Sequence, residues 1–342
     1  MISGTLEVSR PRVRNSEEKF ESRLLPLFTR RTNEVSELIP QVYLHGLSEG
    51  DFDLALRGLL GDDAPVSAPT VARLKDRWNV ELSEWHSRSL DDLEVVYIWV
   101  DGVYVKAGLE REKAAVLVVI AALSDGSKRV LSVDPGYRES VESWSETLRS
   151  LKSRGMNCPR LVVGDGHLGI WGALRNVYPE SNEQRCWNHK LLNVLDRLPK
   201  RDQAQAKLML KRIPCAETRK ESGRLRKLFS QRCEERGHES VSATLERDWE
   251  RMVAFYDYPK EHWQHPRSTN PVESPFASLR VRTDVAKRYK RVDRAIEVIW
   301  KMLMVVEKRF RRLNAPELIK AVYNGEKYED GIPAQTAEEV AA

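Results

Sequence analysis

The sequence predicts an α/β fold: a mixed five-stranded sheet with flanking helices, interrupted by an all-α insertion and preceded by a small helical module. Three observations predict it. Between Leu93 and Leu198, apolar runs of strand length alternate with amphipathic helical stretches in the order βββαβαβα. From Pro199 to about Lys260 the chain is highly charged and helical in pattern, without strand signals. Upstream of Leu93, short helical patterns are joined by Gly, Asp and Pro turns.

The elements follow in order. Residues 1–34 are polar and Arg-rich and read as an arm. In the module over 35–90, Val35, Leu38, Ile39, Val42 and Tyr43 fall at helical spacing, Gly46 is a stop and Ser48 a fresh cap. Leu54, Leu56, Leu59 and Leu60 form the next apolar face. After the turn GDDAPVS, Ser67 or Ala68-Pro69 opens a third helix through Thr70, Val71, Leu74 and Trp78. Short helices around such a turn suit a helix-turn-helix module, a pattern shared with any small helical bundle.

LEVVYIWVDGVYV is nearly all apolar, as a strand buried on both faces requires. AAVLVVIAAL and KRVLSVD are two more strands, and the short link SDG between them predicts an antiparallel hairpin. Glu139–Gly155 reads as an amphipathic helix with Val141, Trp144, Leu148 and Leu151 on one side. PRLVV is a fourth strand, Gly169–Tyr178 a short helix, NEQRC a fifth strand, and Asn188–Leu198 starts another helix. The insertion spans 199–261 and is closed by the aromatics Trp249, Phe255, Tyr256, Tyr258 and Trp263, which read as its core. The sheet-bearing core comprises 91–198 and 262–320, with a long helix over Asp293–Leu313. The residues 321–342 read as a flexible tail.

Composition narrows the function. The 342 residues are 41% hydrophobic and 31% charged, enough for a proper core and too apolar for global disorder. The longest apolar run, Ala114–Leu123, is half of the ~20 residues that a membrane-spanning helix needs. MISGTLEVSRPRVR has no apolar stretch of the secretory kind, so no export signal and no membrane partner are expected. Four scattered cysteines do not suggest a disulfide framework and fit a reducing cytoplasm. The net charge of +5 is modest, but Phe276–Lys320 holds 13 Lys/Arg against 5 Asp/Glu. Such a segment is a footprint for a polyanion, or else a solvated helix face.

Three acids stand out. Asp101 interrupts an apolar strand, where a lone desolvated carboxylate is costly; it needs a cation or a donor, or else Asp101-Gly102 is a turn between shorter strands. Asp165 follows the strand LVVG, and crevices at such strand ends bind ligands. If the first and fourth strands are neighbours, the two carboxylates face one another and repel unless a cation or a proton intervenes. Hard oxygen donors with open water positions suit Mg²⁺, and a pair of such ions ~4 Å apart serves in-line phosphoryl displacement. Glu273 follows Asn270, a candidate N-cap, and Pro271 at the first helical position, so it also fits a capping box. Arg280, Arg282, Lys287 and Arg288 after it suit phosphate contacts.

Two other readings use the same region. Gly164, Gly166 and Gly169 spell GxGxxG, with Glu183 downstream as a possible ribose ligand, but Asp165 inside the loop would repel a pyrophosphate. Cys186 and His189 form C-x₂-H and with Cys233 and His238 would make a Cys₂His₂ zinc set of untypical spacing. A buried thiol and a histidine bonded to backbone near the crevice is the plainer reading of the first pair.

The strings VDGVYVK, VVGDGHLGIWGAL, RCWNHK and HWQHPRSTNPVESPFASLRVRT resemble the Mutator-type transposases of bacterial insertion sequences. FRRLNAP is similar to that family's ending, with Phe310 where Trp is usual, and YLHGLSEGDFDLALRGLLGDDAP with SAPTVARLKDRW is similar to its N-terminal DNA-binding module. The resemblance covers about residues 5–316. It implies a ribonuclease H-like core, a helical insertion before the third acid, and Mg²⁺-dependent (or Mn²⁺-dependent) cleavage and strand transfer at the terminal inverted repeats and target DNA. Asp101, Asp165 and Glu273 would be both the catalytic triad and the metal ligands, with Cys186, His189 and Asn270 as neighbours. Thr70 and Arg73 in the module, with the basic residues after Glu273, would contact DNA. A homo-oligomer assembled on DNA in the bacterial cytoplasm, at the nucleoid, is implied as well. Family members usually carry more sequence before SGTLEVSRPRVR, and a shortened start would impair end recognition while leaving the acids in place. The alternative function is a decayed or truncated, non-catalytic, sequence-specific DNA-binding protein.

Overall fold

The computed structural model describes residue 44 and residues 68–107, 114–136, 138–285, 289 and 291–334, with backbone alone at 68–75, 168, 278 and 280–285. The arm, the helices expected over 35–60, and Lys287 and Arg288 lie outside the described residues, as do the side chains of Thr70, Arg73, Arg280 and Arg282. The chain divides into two units, one of 1–83 with 280–287 and one of 84–279 with 288–342. In the smaller unit, helix α1 (Ala68–Ser87) begins where the Ala68-Pro69 signal placed it and runs on beyond the boundary. The larger unit carries the elements below, apart from the last residues of one helix at 280–285.

Its sheet has the order β3-β2-β1-β4-β5. Strands β1 (Val95–Val105), β2 (Ala114–Leu123) and β3 (Lys128–Gly136) form an antiparallel meander, and Gly126 supplies the left-handed residue that the β2–β3 turn requires (φ 80°). β4 (Leu161–Gly164) joins β1 in parallel, and β5 (Asn182–Arg185) joins β4 in parallel. The central strand β1 is buried on both faces from Val95 to Val100, as that apolar run requires, and opens out from Asp101 onward.

One face packs against α2 (Val141–Ser153) and α3 (Leu168–Val177) through Ile98, Val100, Leu117, Val119, Trp144, Leu148, Trp171 and Leu174. α2 starts two residues later than its periodicity suggests, because the Ser140 side chain accepts from the Ser143 N–H as N-cap. The opposite face meets the segment after the insertion. There Tyr97 and His262 Nδ1 are hydrogen-bonded at 3.0 Å, and Trp99 Nε1 donates to the His265 carbonyl at 3.2 Å.

The insertion is helical throughout: α5 (Lys200–Arg212), α6 (Arg219–Glu234), α7 (Glu239–Glu246) and α8 (Trp249–Val253). Its core of Leu210, Phe229, Val241, Met252 and Phe255 is continuous with Trp187 and Val194 of α4 (Trp187–Leu195). A charged knot ties this module to the sheet. Asp248 accepts from Lys190 Nζ at 2.9 Å and from Arg185, and Arg251 adds a contact at 3.3 Å.

Helix α9 (Asn270–Val285) follows, then α10 (Val292–Glu307), which packs on β3. α10 ends six residues short of the Leu313 expected from its apolar stripe. Beyond it the backbone turns to bond elsewhere: Leu313 N–H donates to Gly126 O at 2.8 Å and Asn314 N–H to His265 Nε2 at 3.2 Å. The span expected as a flexible tail holds structure as far as residue 334. It forms the end of α11 (Pro316–Tyr323) and a hairpin of β6 (Tyr328–Glu329) and β7 (Ile332–Pro333). Backbone bonds from Gly331 to Tyr256 O and from Lys260 to Gly331 O hold the hairpin on the insertion, which the acidic composition does not reveal.

Candidate active site

The site grows from strand register. β1 and β4 pair Trp99 with Val163; two residues further along the same parallel register, Asp165 stands beside Asp101. Parallel partners share a face, so both carboxylates leave the sheet on the same side. One oxygen of each is fixed by a backbone N–H: Gly102 N–H donates to Asp101 Oδ1 at 2.8 Å, and His167 N–H to Asp165 Oδ1 at 2.8 Å. Asp101 is thus a strand residue, and the turn considered at Asp101-Gly102 is not formed.

A third carboxylate joins them. Glu139, in the link between β3 and α2, is 5% exposed, and ligand-type oxygens of Asp101, Glu139 and Asp165 lie within 4.8 Å of one another. Two glycines make room for it. A Cβ at Gly102 would stand 2.5 Å from Glu139 Oε1, and one at Gly169 would stand 2.1 Å from the Glu139 carbonyl. Tyr104 donates its hydroxyl to Glu139 Oε1 at 2.8 Å. The sequence signals for Glu139 are Gly102 opposite it and its place just ahead of an N-cap serine; both read equally well as strand and helix grammar.

The electrostatics follow from this crowding. Burial, then repulsion from Asp165 and Glu139, pushes the Asp101 carboxyl up to about 7 despite the Gly102 bond. Burial and the Asp165 charge also raise Glu139, against the Tyr104 hydrogen bond.

Glu273 reaches the neighbourhood by another route. Thr269, rather than Asn270, supplies the opening carbonyl of α9, accepting from the Glu273 N–H at 2.9 Å. The Thr269 N–H and hydroxyl point at Cys186 Sγ (3.3 and 3.2 Å), so no capping box forms on that amide. Thr269 Oγ1 also bonds Glu273 Oε1 and lies 3.3 Å from His189 Nδ1. His189 Nδ1 lies 3.7 Å from Glu273 Oε1. A hydrogen bond to Cys186, outweighing burial, and the charges of Cys186, Glu273 and Asp165 raise His189 to about 9, so it is protonated at neutral pH. Asn270 accepts from Asn188 at 3.1 Å. The structure therefore brings together Asp101, Asp165 and Glu139, and gathers Glu273 with Cys186 and His189 in a second group. His189 faces both groups, feeling the charges of Asp165 and Glu273 alike.

The two competing motif readings meet other facts. Gly166 is left-handed (φ 97°) and packed on Arg185, and Gly169 lies against the Glu139 backbone, so both glycines have packing reasons. Glu183 is paired with Arg251 and stands 4.0 Å from Arg175. Cys233 belongs to the insertion core and His238 lies 3.6 Å from Asp202, whereas Cys186 and His189 group with Glu273.

Comparison with known proteins supplies the class first. The transposase for insertion sequence element IS6120 of Mycolicibacterium smegmatis is 40% identical over 297 residues, covering 87% of this chain and 92% of that one. The transposase for insertion sequence element IST2 of Acidithiobacillus ferrooxidans is 39% identical over 282 residues, 82% of this chain and 95% of that one. A solved structure, the Drosophila P element transposase strand transfer complex, aligns over 92% of this chain and 87% of its own. Its TM-score of 0.34 and identity of 11% are too low to inform the fold. The sequence profile of the Mutator family of transposases matches residues 2–312, and the chain belongs to that family. Among the described residues no helix is long and apolar enough to cross a membrane.

Proposed function

We propose that this transposase cuts and joins DNA strands at the ends of an insertion element with a divalent cation, Mg²⁺ or Mn²⁺, held by a cluster of carboxylates on a ribonuclease H-like core. The observation that carries the reading is the convergence of Asp101, Asp165 and Glu139. The donor set fits the ion: hard carboxylate oxygens, partly desolvated, with Asp101 pushed up to about 7 by burial and then by its like-charged neighbours. A meander of three strands, two parallel strands and a helical insertion ahead of Glu273 support the ribonuclease H-like assignment.

Asp101, Asp165 and Glu139 would hold the ion, with Glu273 as the third acid of the family pattern. When bound, a divalent cation supplies positive charge that acidifies an attacking hydroxyl and neutralises a leaving oxygen. The chain's own part is positioning. Gly102 and His167 N–H groups orient the two aspartates through one oxygen of each. His189 and Thr269 would steer the Glu273 carboxylate through the contacts they make with it. Arg280, Arg282, Lys287 and Arg288 contact phosphates, Thr70 and Arg73 read the terminal repeats, and the protein acts as an oligomer on nucleoid DNA in the cytoplasm.

The test is a cleavage and strand-transfer assay on the element's own end DNA with Mg²⁺. Asp165→Asn is expected to reduce product more than ~100-fold while leaving DNA binding intact. Product formation that survives the substitution removes Asp165 from the chemistry. Salt-dependent DNA binding by the unaltered chain with no Mg²⁺-dependent product favours the non-catalytic alternative.

A further inference from the structure

We propose that the cavity walled by the segment after α10 is a subsite for the sugar–phosphate backbone of the DNA strand flanking the reacting phosphate. The inference rests on the reading of the acidic cluster as a DNA-processing centre and adds where the neighbouring strand lies.

The cavity has a volume of about 520 Å³. Lys128 from β3, Arg309 just after α10, and Arg311 and Arg312 of the FRRLNAP segment line it, and no carboxylate stands among its described lining residues. Four cations around one void repel each other and call for a polyanion. Asp125, at the β2–β3 turn, is the acid that feels Arg312. A single free phosphate would leave much of this charge uncompensated, whereas successive phosphates of one strand match it.

The backbone under these arginines is fixed while their side chains are exposed. Leu313 is buried and bonded to Gly126, the Ala315 carbonyl lies 3.1 Å from His262 Nε2, and Lys128 Nζ donates to Arg311 O at 3.1 Å. Ala315 adopts a left-handed conformation (φ 45°), unusual for a residue with a Cβ, and it sets the turn into α11. Phe310, half-buried, lines the same cavity and offers a ring on which a base can stack.

The link to the reacting centre is α9. Asn270 and Ser274 line the cavity on the helix turn that carries Glu273. Amides at the start of a helix add partial positive charge on the same wall. This assignment gives the FRRLNAP string, which none of the acids explains, a role of its own.

The experiment uses the full chain and fluorescence anisotropy with a labelled duplex carrying the element's end, titrated across a range of KCl. The double substitution Arg311→Gln with Arg312→Gln is expected to weaken binding about tenfold and to lower the salt slope by about 2. Arg311→Lys with Arg312→Lys should keep the slope. Lys207→Gln with Lys211→Gln, exposed on α5, removes the same charge elsewhere and should leave the slope unchanged. A wild-type slope in the Gln pair at positions 311 and 312, or equal losses in both Gln pairs, overturns the subsite. Cleavage by Asp165→Asn judges the acidic centre separately, so either idea can fail without the other.

Discussion

Two aspartates in this chain are withdrawn from water and treated in opposite ways. Asp248 is buried at the base of the insertion, where hydrogen bonds and charges from Lys190 and Arg185 outweigh desolvation and hold its carboxyl below the ordinary value. Asp101 is half-buried at the end of the sheet with one backbone N–H and two further carboxylates, and desolvation with their repulsion raises it to about 7. The first arrangement is complete within the polypeptide. The second sets carboxylates against one another, and their repulsion adds to burial.

The sharpest way to break this comparison is to remove the compensated acid. Asp248→Asn leaves Lys190, whose side chain is 1% exposed, without its counter-charge. The expected loss is about 3–5 kcal/mol in denaturant unfolding. A loss under about 1 kcal/mol would show that the knot is not a structural centre.

Removal of the uncompensated acid should have the reverse sign. Metal-free Asp101→Asn is expected to be more stable than the parent by about 1–3 kcal/mol at pH 8, where the parent must carry three neighbouring charges. Added Mg²⁺ should raise the melting temperature of the parent and leave the variant largely unmoved. If the variant melts below the parent without metal, the cluster is not strained by its own charge.

The smallest effect concerns His265, which burial and then the charge of Lys128 lower to about 4. A histidine whose folded value lies below its unfolded value of ~6.5 stabilises the native state above that value, and the contribution is lost as pH falls toward about 4. His265→Gln keeps an acceptor for the Asn314 N–H and should flatten the pH 4–6.5 stability profile by on the order of 1 kcal/mol, after allowance for partial solvent screening. An unchanged profile would assign acid sensitivity to other groups.

Much of the sheet was legible because its strands are buried on both faces and their composition shows it. The β2–β3 hairpin follows from apolar runs and a short link, whereas the meeting of Asp101 with Asp165 hung on the condition that β1 and β4 are neighbours, which the sheet order supplies. Glu139 was hidden because an acid just before a helix is ordinary at a helix start; only the empty space over Gly102 and Gly169 shows why it is buried. The spacing of Glu273 fitted a cap, and three-dimensional neighbours, Cys186 and His189, give its carboxylate a different set of partners. The Lys190–Asp248 knot joins residues distant along the chain and carries no local pattern. The β6–β7 hairpin escaped because two-residue strands are too short for alternation to register.

The position of Glu273 beyond the helical insertion has a consequence for synthesis. A ribosome delivers Asp101, Glu139 and Asp165 early, then translates the whole of α5–α8 before the codon for Glu273 is reached. A nascent chain halted within those helices has neither that glutamate nor Arg311 and Arg312, and lacks the segment that covers Tyr97 and Trp99. On the assignments proposed above, premature termination anywhere in that stretch yields a chain without Glu273 and without the arginines of the cationic cavity.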